Sequence, residues 1–154
     1  YGVEQVLWVS EGIDGDDTDG HIDDTVRFVN EDTVVTVVES NVLSENHDLL
    51  QRNLKELKEM RLANGKQLNI VELPMPEDVI YEGQMLPASY ANFYISNGHI
   101  IVPTYRCALD DKAMQIIQSC FPTREVVGID STDIIWGLGS FHCLSQQEPS
   151  VDLT

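Results

Sequence analysis

A ten-residue acidic stretch, Gly15-Asp16-Asp17-Thr18-Asp19-Gly20-His21-Ile22-Asp23-Asp24, holds five carboxylates and one imidazole. A cluster of carboxylates this dense is costly to bury unless a cation or a hydrogen-bond network offsets the lost hydration. The stretch is therefore either a solvated loop or a site that receives a cation.

A cysteine near the end of the chain could act as a nucleophile. Cys143 follows Gly137 and Gly139, and glycines allow the tight turns that present a thiol beside free backbone groups. A neighbouring positive charge would lower its pKa and activate it, whereas the alternative is a buried structural cysteine. We interpret Cys107 and Cys120 as structural, because Cys120 lies on the apolar face of a predicted helix and Cys107 in a loop without acidic or imidazole neighbours.

The spacing of His21 and Asp23 suggests how that thiol could be assisted. The two residues are two apart at the start of a predicted strand, and the alternation of a strand puts both side chains on one face. Near a thiol, they would supply a proton shuttle and an anchor for a cationic group. Without the thiol, they are equally well explained as a loop histidine and its hydrogen-bond partner. His21 could also join His142 and Cys143 in a zinc site, although the spacing lacks a paired-ligand pattern.

A calcium loop is a second alternative for the acidic stretch. An EF-hand requires acidic ligands at positions 1, 3 and 5, glycine at position 6 and glutamate at position 12. Placing Gly20 at position 6 puts Asp17 and Asp19 in register but leaves Gly15 and Val26 at positions 1 and 12. The flanking residues also have strand patterns rather than helical ones, which disfavours this interpretation.

The elements that must position these side chains repeat along the chain. Apolar runs predict strands over residues 6–9, 25–30, 33–38, 68–73, 90–95, 99–103 and 125–129. Helical spacing predicts one helix capped by Ser44 and stopped at residues 64–65, and another capped by Asp110 or Asp111 and stopped at residues 121–122. Two β-β-α-β units result, which is typical of a repeat architecture within one domain of 154 residues.

Composition excludes some classes of function. Lys and Arg number 9 against 26 Asp and Glu, a formal charge of −17, which disfavours nucleic-acid binding. This charge either suits a cationic ligand or only keeps the protein in solution. The sequence has no apolar run of the roughly 20 residues that a membrane span requires. Three cysteines without CxxC spacing, and an N-terminus without a signal-peptide pattern, lead us to expect a reducing cytoplasm.

Several motifs together resemble one family. They are Gly20-His21-Ile22-Asp23, Leu73-Pro74-Met75-Pro76, Ala88-Ser89-Tyr90-Ala91-Asn92-Phe93-Tyr94-Ile95-Ser96-Asn97-Gly98, Phe121-Pro122-Thr123-Arg124-Glu125-Val126-Val127-Gly128 and Phe141-His142-Cys143-Leu144-Ser145-Gln146-Gln147. Nearly end to end, the chain resembles the C-terminal part of the agmatine deiminases and the bacterial, Porphyromonas-type peptidylarginine deiminases. The resemblance implies an α/β pentein fold of five ββαβ modules in a propeller-like ring, of which about two are present here.

The resemblance also implies roles for particular residues. Cys143 matches the nucleophile, His21 the general acid/base, and Asp23 the carboxylate that binds the guanidinium. Asp17 falls where the family has an acidic group lining the substrate pocket, and Asn92 where the peptidylarginine branch has an asparagine near the active site. Residues 1–154 would then form the C-terminal portion of a single catalytic domain, whose absent N-terminal modules carry a further catalytic carboxylate.

The implied reaction is hydrolysis of a guanidine through a covalent thiouronium on the cysteine, without metal or cofactor. We expect agmatine as the substrate, giving N-carbamoylputrescine and ammonia, because an acidic pocket suits its second positive charge. Peptidylarginine, giving peptidylcitrulline, is the alternative substrate, and a non-catalytic calcium-binding module is the alternative of another class. The expected partners are the N-terminal half of the same fold and, from the resemblance, a second copy in a homodimer.

Overall fold

The computed structural model describes residues 2–18 and 20–148. Asp19, a member of the acidic stretch and of the hypothetical calcium loop, lies outside the described residues. Within the described ranges, no helix has both the length and the apolar character needed to cross a bilayer.

The first sheet has three strands, β1 (Val26–Phe28), β2 (Thr33–Val38) and β3 (Asn69–Pro74), and α1 (Glu45–Glu59) connects β2 to β3. β1 and β2 form the predicted antiparallel hairpin, and β3 returns parallel to the central β2. Because β2 is covered on both faces, its sequence is a nearly continuous apolar run rather than an alternating one.

Helix α1 begins as predicted but ends early. The Ser44 side chain accepts a hydrogen bond from a backbone N–H of the first turn, and the buried face consists mainly of Leu50, Leu54 and Leu57. The helix ends at Glu59 rather than at residues 64–65. The reason is that the backbone of Arg61 pairs with that of Gln67 in a short antiparallel bridge.

A short hairpin that the sequence analysis missed follows the first sheet. β4 (Val79–Tyr81) and β5 (Gln84–Leu86) pair around Glu82 and Gly83. Both loop residues have positive φ, +50° at Glu82 and +83° at Gly83, which is the conformation of a type I′ turn.

The second sheet repeats the order of the first. It contains β6 (Tyr94–Ile95), β7 (His99–Thr104) and β8 (Glu125–Asp130), and α2 (Asp110–Cys120) connects β7 to β8. β6 and β7 are antiparallel, and β8 lies parallel to β7, as predicted. The predicted strand over residues 90–95 is mostly wrong, since only its last two residues pair. The residues before them form a buried, irregular segment.

Neither acidic residue predicted to cap α2 does so, because the N-cap is Leu109. The Asp110 carboxylate instead accepts hydrogen bonds from the backbone N–H groups of Tyr105 and Cys107, and from the Tyr90 hydroxyl at 2.6 Å. Asp110 therefore fixes the loop that leads into the helix, and Cys107 has an acidic neighbour that the sequence analysis did not foresee.

One apolar core joins the two sheets. It is formed by strand and helix residues of both halves together with the irregular segment between them, including Val35, Val37, Leu50, Leu73, Tyr90, Phe93, Ile100, Val102 and Ile117. Because the segment preceding β6 lies inside this core, its backbone is held rigidly with respect to both sheets.

The predicted buried strand over residues 6–9 is wrong. Leu7 and Val9 pack against a second, smaller core, but Val6 and Trp8 are largely exposed, Trp8 to 80%. No described strand pairs with this segment. It is therefore an extended chain with one covered face, at the edge of the first sheet.

The β4–β5 turn makes a stability prediction. A side chain with a Cβ is strained in the left-handed region unless it is Asn or Asp. We expect Glu82→Asn to raise the free energy of unfolding by about 0.5–1 kcal/mol, measured by urea denaturation of the full-length protein. Glu82→Gln removes the same charge without the left-handed preference, so an equal gain from Gln would contradict the turn argument.

Candidate active site

The residues that follow His21 form a tight turn, not the strand predicted for them. The backbone N–H of Asp24 donates to the carbonyl of His21, and that of Thr25 to the carbonyl of Ile22, giving a 3-10 turn over Ile22–Asp24. Successive residues of such a turn point about 120° apart. The turn therefore leaves His21 exposed, half-buries Asp23 and buries Asp24.

The partner of His21 is Asp16. His21 Nδ1 lies 2.9 Å from Asp16 Oδ1, and the backbone N–H of His21 donates to Asp16 Oδ2 at 2.6 Å. Burial alone would lower the pKa of His21, but the hydrogen bond to Asp16 and the charges of Asp16, Asp23 and Asp24 raise it overall. Asp17, the residue predicted to line the substrate pocket, is exposed next to this pair.

Asp23 meets the thiol. Cys143 Sγ lies 3.2 Å from Asp23 Oδ2, and the same oxygen lies 2.6 Å from His142 Nδ1. Burial opposes ionisation of Asp23, yet the hydrogen bonds from His142 and Cys143 keep its pKa below the usual value. The structure thus brings together the predicted Cys143 and Asp23, and it adds His142, which the sequence analysis considered only as a zinc ligand.

Asn92 connects the two parts of the site. Its Oδ1 accepts the backbone N–H groups of Ser140, His142 and Cys143 at 3.2, 3.0 and 3.3 Å. Its Nδ2 lies near one oxygen of Asp23, one oxygen of Asp24 and the sulfur of Cys143. Asn92 is fully buried and holds the cysteine loop through these bonds, and its predicted contact with a substrate stays a prediction.

Two further titratable residues border this site and were missed by sequence reasoning. Asp24 is only 1% exposed, and burial together with the charge of Asp23 raises its pKa to about 7. Arg27 donates from one nitrogen to the carbonyls of Ala91 and Phe93 at 3.0 and 2.8 Å, and it thereby clamps the segment that carries Asn92. Asp24 follows the Gly-His-x-Asp motif directly and Arg27 comes three residues later, but no spacing rule distinguishes them from ordinary strand residues.

The glycines before the cysteine are not equivalent. A Cβ on Gly139 would meet Cys143 Cβ at 2.6 Å and Sγ at 2.9 Å, whereas a Cβ on Gly137 would have no heavy atom within 4 Å. Gly139 is therefore required by the close approach of the cysteine side chain.

An open cleft of about 790 Å³ borders the site. His21, Asp23 and Glu11 contribute to its lining, along with the apolar side chains of the extended segment at residues 6–9. The sulfur of Cys143 lies 3.2 Å from the Asp23 carboxylate, which forms part of the cleft wall. A ligand in the cleft would meet carboxylates on one side and exposed Val6 and Trp8 on the other.

The side chains could hold a cation in two places. The donor atoms of Asp16, His21 and Asp24 lie within 4.8 Å of one another, as do those of Asp23, Asp24 and Cys143. Carboxylates predominate in both groups, which suits a hard or organic cation better than zinc.

The two metal hypotheses from the sequence are not supported. The structure does not bring His21, His142 and Cys143 together as a zinc set, since His142 is bonded to Asp23. The acidic stretch lies between an extended segment and β1, so it lacks the flanking helices of an EF-hand.

Comparison with known proteins identifies the family. The model for Porphyromonas-type peptidyl-arginine deiminase matches residues 1–149. The chain belongs to this family. It is 32% identical to a Lactococcus lactis protein proposed to be an agmatine deiminase, over 95% of this chain and 44% of that protein. The chain thus spans less than half the length of such relatives.

Solved structures of the family have the same mixed α/β fold. A Porphyromonas gingivalis protein, proposed to be an arginine deiminase, matches with a TM-score of 0.92 at 44% identity, over 96% of this chain and 44% of that one. The agmatine deiminase of Enterococcus faecalis matches with a TM-score of 0.89 at 31% identity, over 96% of this chain and 45% of that one.

The two glycines provide a matched test of the site geometry. We expect Gly139→Ala to slow alkylation of Cys143 and to reduce any turnover by about 10- to 100-fold, because a displacement of about 1 Å misaligns a nucleophile. Gly137→Ala, which adds the same methyl group in open space, should leave both rates unchanged. Equal effects of the two substitutions, measured in the full-length protein, would contradict a specific role for the contact with Cys143.

Proposed function

We propose that the full-length protein is a guanidine deiminase that hydrolyses a C–N bond through a covalent intermediate on Cys143. The observation that carries the proposal is the 3.2 Å contact between Cys143 Sγ and Asp23 Oδ2 at the wall of an acidic cleft. A carboxylate that binds the N–H groups of a guanidinium would hold its central carbon beside the sulfur.

The leading substrate is agmatine. Its guanidinium would bind Asp23, and its amine would face the other carboxylate of the cleft lining, Glu11, or the exposed Asp17, which the resemblance places at the substrate pocket. The net charge of −17 favours such a dication, and the names of the E. faecalis and L. lactis relatives support it. Peptidylarginine and free arginine are the alternatives, supported by the family name and by the P. gingivalis relative.

The cation would activate its own nucleophile. Burial, followed by the hydrogen bond to Asp23 and the charges of Asp23 and Asp24, raises the pKa of Cys143 to about 11, although Asn92 acts in the opposite direction. The resting group is therefore a thiol at neutral pH. A guanidinium placed between Asp23 and the sulfur would neutralise the carboxylate and favour the thiolate.

The first half of the reaction forms the covalent intermediate. The Cys143 thiol gives its proton to His21, and the sulfur attacks the central guanidinium carbon. The C–N bond to one terminal nitrogen breaks as His21 returns the proton to it, so ammonia leaves and a thiouronium remains on Cys143. The hydrogen bond to Asp16 orients the His21 ring for this role.

The second half consumes one water. His21 removes a proton from the water as its oxygen attacks the thiouronium carbon, the C–S bond breaks, and the proton returns to the sulfur. The second proton of the water leaves the new oxygen and is taken up by the released ammonia, which becomes ammonium. The products are the regenerated thiol and a compound with a neutral ureido group, N-carbamoylputrescine when agmatine is the substrate. In this scheme no step needs a metal or a cofactor.

The rest of the fold would complete the site. We infer that an N-terminal half, extending the ββαβ repeat into a pentein ring, covers the exposed residues Val6, Trp8, Ile22 and Phe28 and closes the cleft next to Asp23. The short share of each relative that this chain covers supports this inference. The homodimer and the cytoplasmic location remain predictions.

Turnover of the full-length protein tests the proposal. We expect release of ammonia and a ureido product from agmatine, and loss of at least about 10³-fold in rate with Cys143→Ala, because the covalent route is then removed. Arginine and an arginyl peptide should be compared under the same conditions. Product from the peptide alone would make peptidylarginine the proposed substrate. Absence of product from all three compounds would refute the proposal that the protein is a guanidine deiminase.

Alkylation separates substrate-assisted activation from a permanently ionised cysteine. With neutral iodoacetamide, we expect the rate at Cys143 to rise with pH towards about 11, without a plateau near neutrality. With cationic chloroacetamidine, the reaction at neutral pH should be at least about tenfold faster than with iodoacetamide. Cys107 and Cys120 serve as internal controls, since neither adjoins Asp23. A plateau below pH 8 with iodoacetamide would show that the thiolate already exists without a cation.

A further inference from the structure

Asp24 is the most deeply buried carboxyl at the site, and the proposed chemistry does not use it. It is 1% exposed, its Oδ1 lies 2.8 Å from Asn92 Nδ2, and its Oδ2 has no hydrogen-bond partner among the described residues. An ionised carboxylate with one oxygen uncompensated in the protein interior is costly. Its presence therefore needs a specific explanation.

The hydrogens around Asn92 provide one. Asn92 Nδ2 carries two hydrogens but faces three acceptors, Asp24 Oδ1 at 2.8 Å, Cys143 Sγ at 3.0 Å and Asp23 Oδ2 at 3.2 Å. Asp23 Oδ2 already lies 2.6 Å from His142 Nδ1 and receives the thiol hydrogen of Cys143 at 3.2 Å. The two amide hydrogens are thus left for Asp24 and for the sulfur.

This assignment leaves no hydrogen for Asp24 Oδ2, so a buried negative charge there is uncompensated unless Asp24 carries a proton. Oδ1 then accepts from Asn92, and the unpartnered Oδ2 carries the proton instead of a buried negative charge. A negative charge here would also oppose formation of the thiolate, since Asp23, Asp24 and Cys143 have donor atoms within 4.8 Å of one another. A neutral acid keeps the anchor for Asn92 without this repulsion.

We propose that Asp24, held as the neutral acid, is a positioning residue: it anchors the Asn92 amide so that one amide hydrogen points at the Cys143 sulfur. It acts on the nucleophile through Asn92 and does not touch the substrate. The role of Cys143 as nucleophile rests on the proposed function, but the arrangement of Asp24, Asn92 and the sulfur does not.

The surrounding charges support the neutral form. The groups that face Asp24 from its own turn are Asp23 and His21, and Asp16, Arg27 and Cys143 face it from neighbouring segments. The only guanidinium among them, Arg27, donates its hydrogen bonds to the carbonyls of Ala91 and Phe93 and forms none with Asp24. Burial and the charge of Asp23 raise the pKa of Asp24 to about 7, so the proton is present below neutrality.

Two uncharged variants of the full-length protein separate the parts of the proposal. Asp24→Asn keeps an oxygen that can accept from Asn92, whereas Asp24→Leu removes it at similar volume. The rate of iodoacetamide alkylation at Cys143, followed by mass spectrometry of its peptide, does not require turnover. It therefore remains informative even if ureido product never forms.

At pH about 6, we expect Cys143 of Asp24→Asn to react within about twofold of the wild-type rate, because the side chain at position 24 is then neutral in both proteins. Well above pH 7, the Asn variant should become the faster one, since only the wild type gains a charge near the sulfur. Asp24→Leu should be about tenfold slower than Asp24→Asn at every pH, because one hydrogen bond that orients Asn92 is lost.

Infrared spectroscopy supplies a readout that does not depend on a foldable Leu variant. At pH about 6, the wild type should show the carbonyl stretch of a protonated carboxyl that is missing from Asp24→Asn. Absence of that band, or an Asn variant that already outpaces the wild type at this pH, would mean that Asp24 is a carboxylate and would overturn the proposal. Equal rates for the Leu and Asn variants would overturn the positioning role.

Discussion

The side chain of Asn92 is the interaction on which the rest of the site depends. It joins three segments that are distant in sequence. Its amide nitrogen lies within hydrogen-bond distance of Asp24 and Asp23, 68 and 69 positions before it, and of Cys143, 51 positions after it. One carboxamide has both a good acceptor and a good donor, so a single buried side chain can fix the backbone of the cysteine loop and the carboxylates opposite it. No isosteric replacement offers both, because aspartate lacks the donor and leucine lacks both groups.

The buried segment around Asn92 explains why such a link is rigid. Tyr90 and Phe93 belong to the core that joins the two sheets. Arg27 of β1 donates hydrogen bonds to the backbone carbonyls of Ala91 and Phe93. A segment without regular ladder hydrogen bonds would otherwise be loose. Here its backbone groups are satisfied by a guanidinium from one sheet while its side chains pack against the other. The site is therefore positioned by the junction of the two sheets and not by either one.

Sequence reasoning succeeded where the interactions are local. The β1–β2 and β6–β7 hairpins, both helices and both parallel return strands follow from patterns within about 40 residues, and the Ser44 cap is a contact between neighbours. It failed for residues 6–9, because an apolar run does not reveal whether a pairing strand is available. It also failed at Asp110, whose carboxylate satisfies a loop in preference to a helix N-terminus. The pairing of His142 with Asp23 links residues 119 positions apart, and no spacing rule covers such a distance.

The same limit explains which members of the site were foreseen. Cys143 and Asp23 stand out by residue type and motif, but Asp16, Asp24 and Arg27 look like ordinary members of an acidic loop and a strand. Their roles arise from burial. Asp16 is nearly covered and bonded to His21, with an exposed fraction of 3% for its side chain, whereas Asp17 beside it remains in solvent. Neighbouring aspartates thus differ in their surroundings because the fold determines which carboxyl is removed from solvent. A dense acidic stretch is therefore better understood as a set of individual carboxyls than as one negative patch.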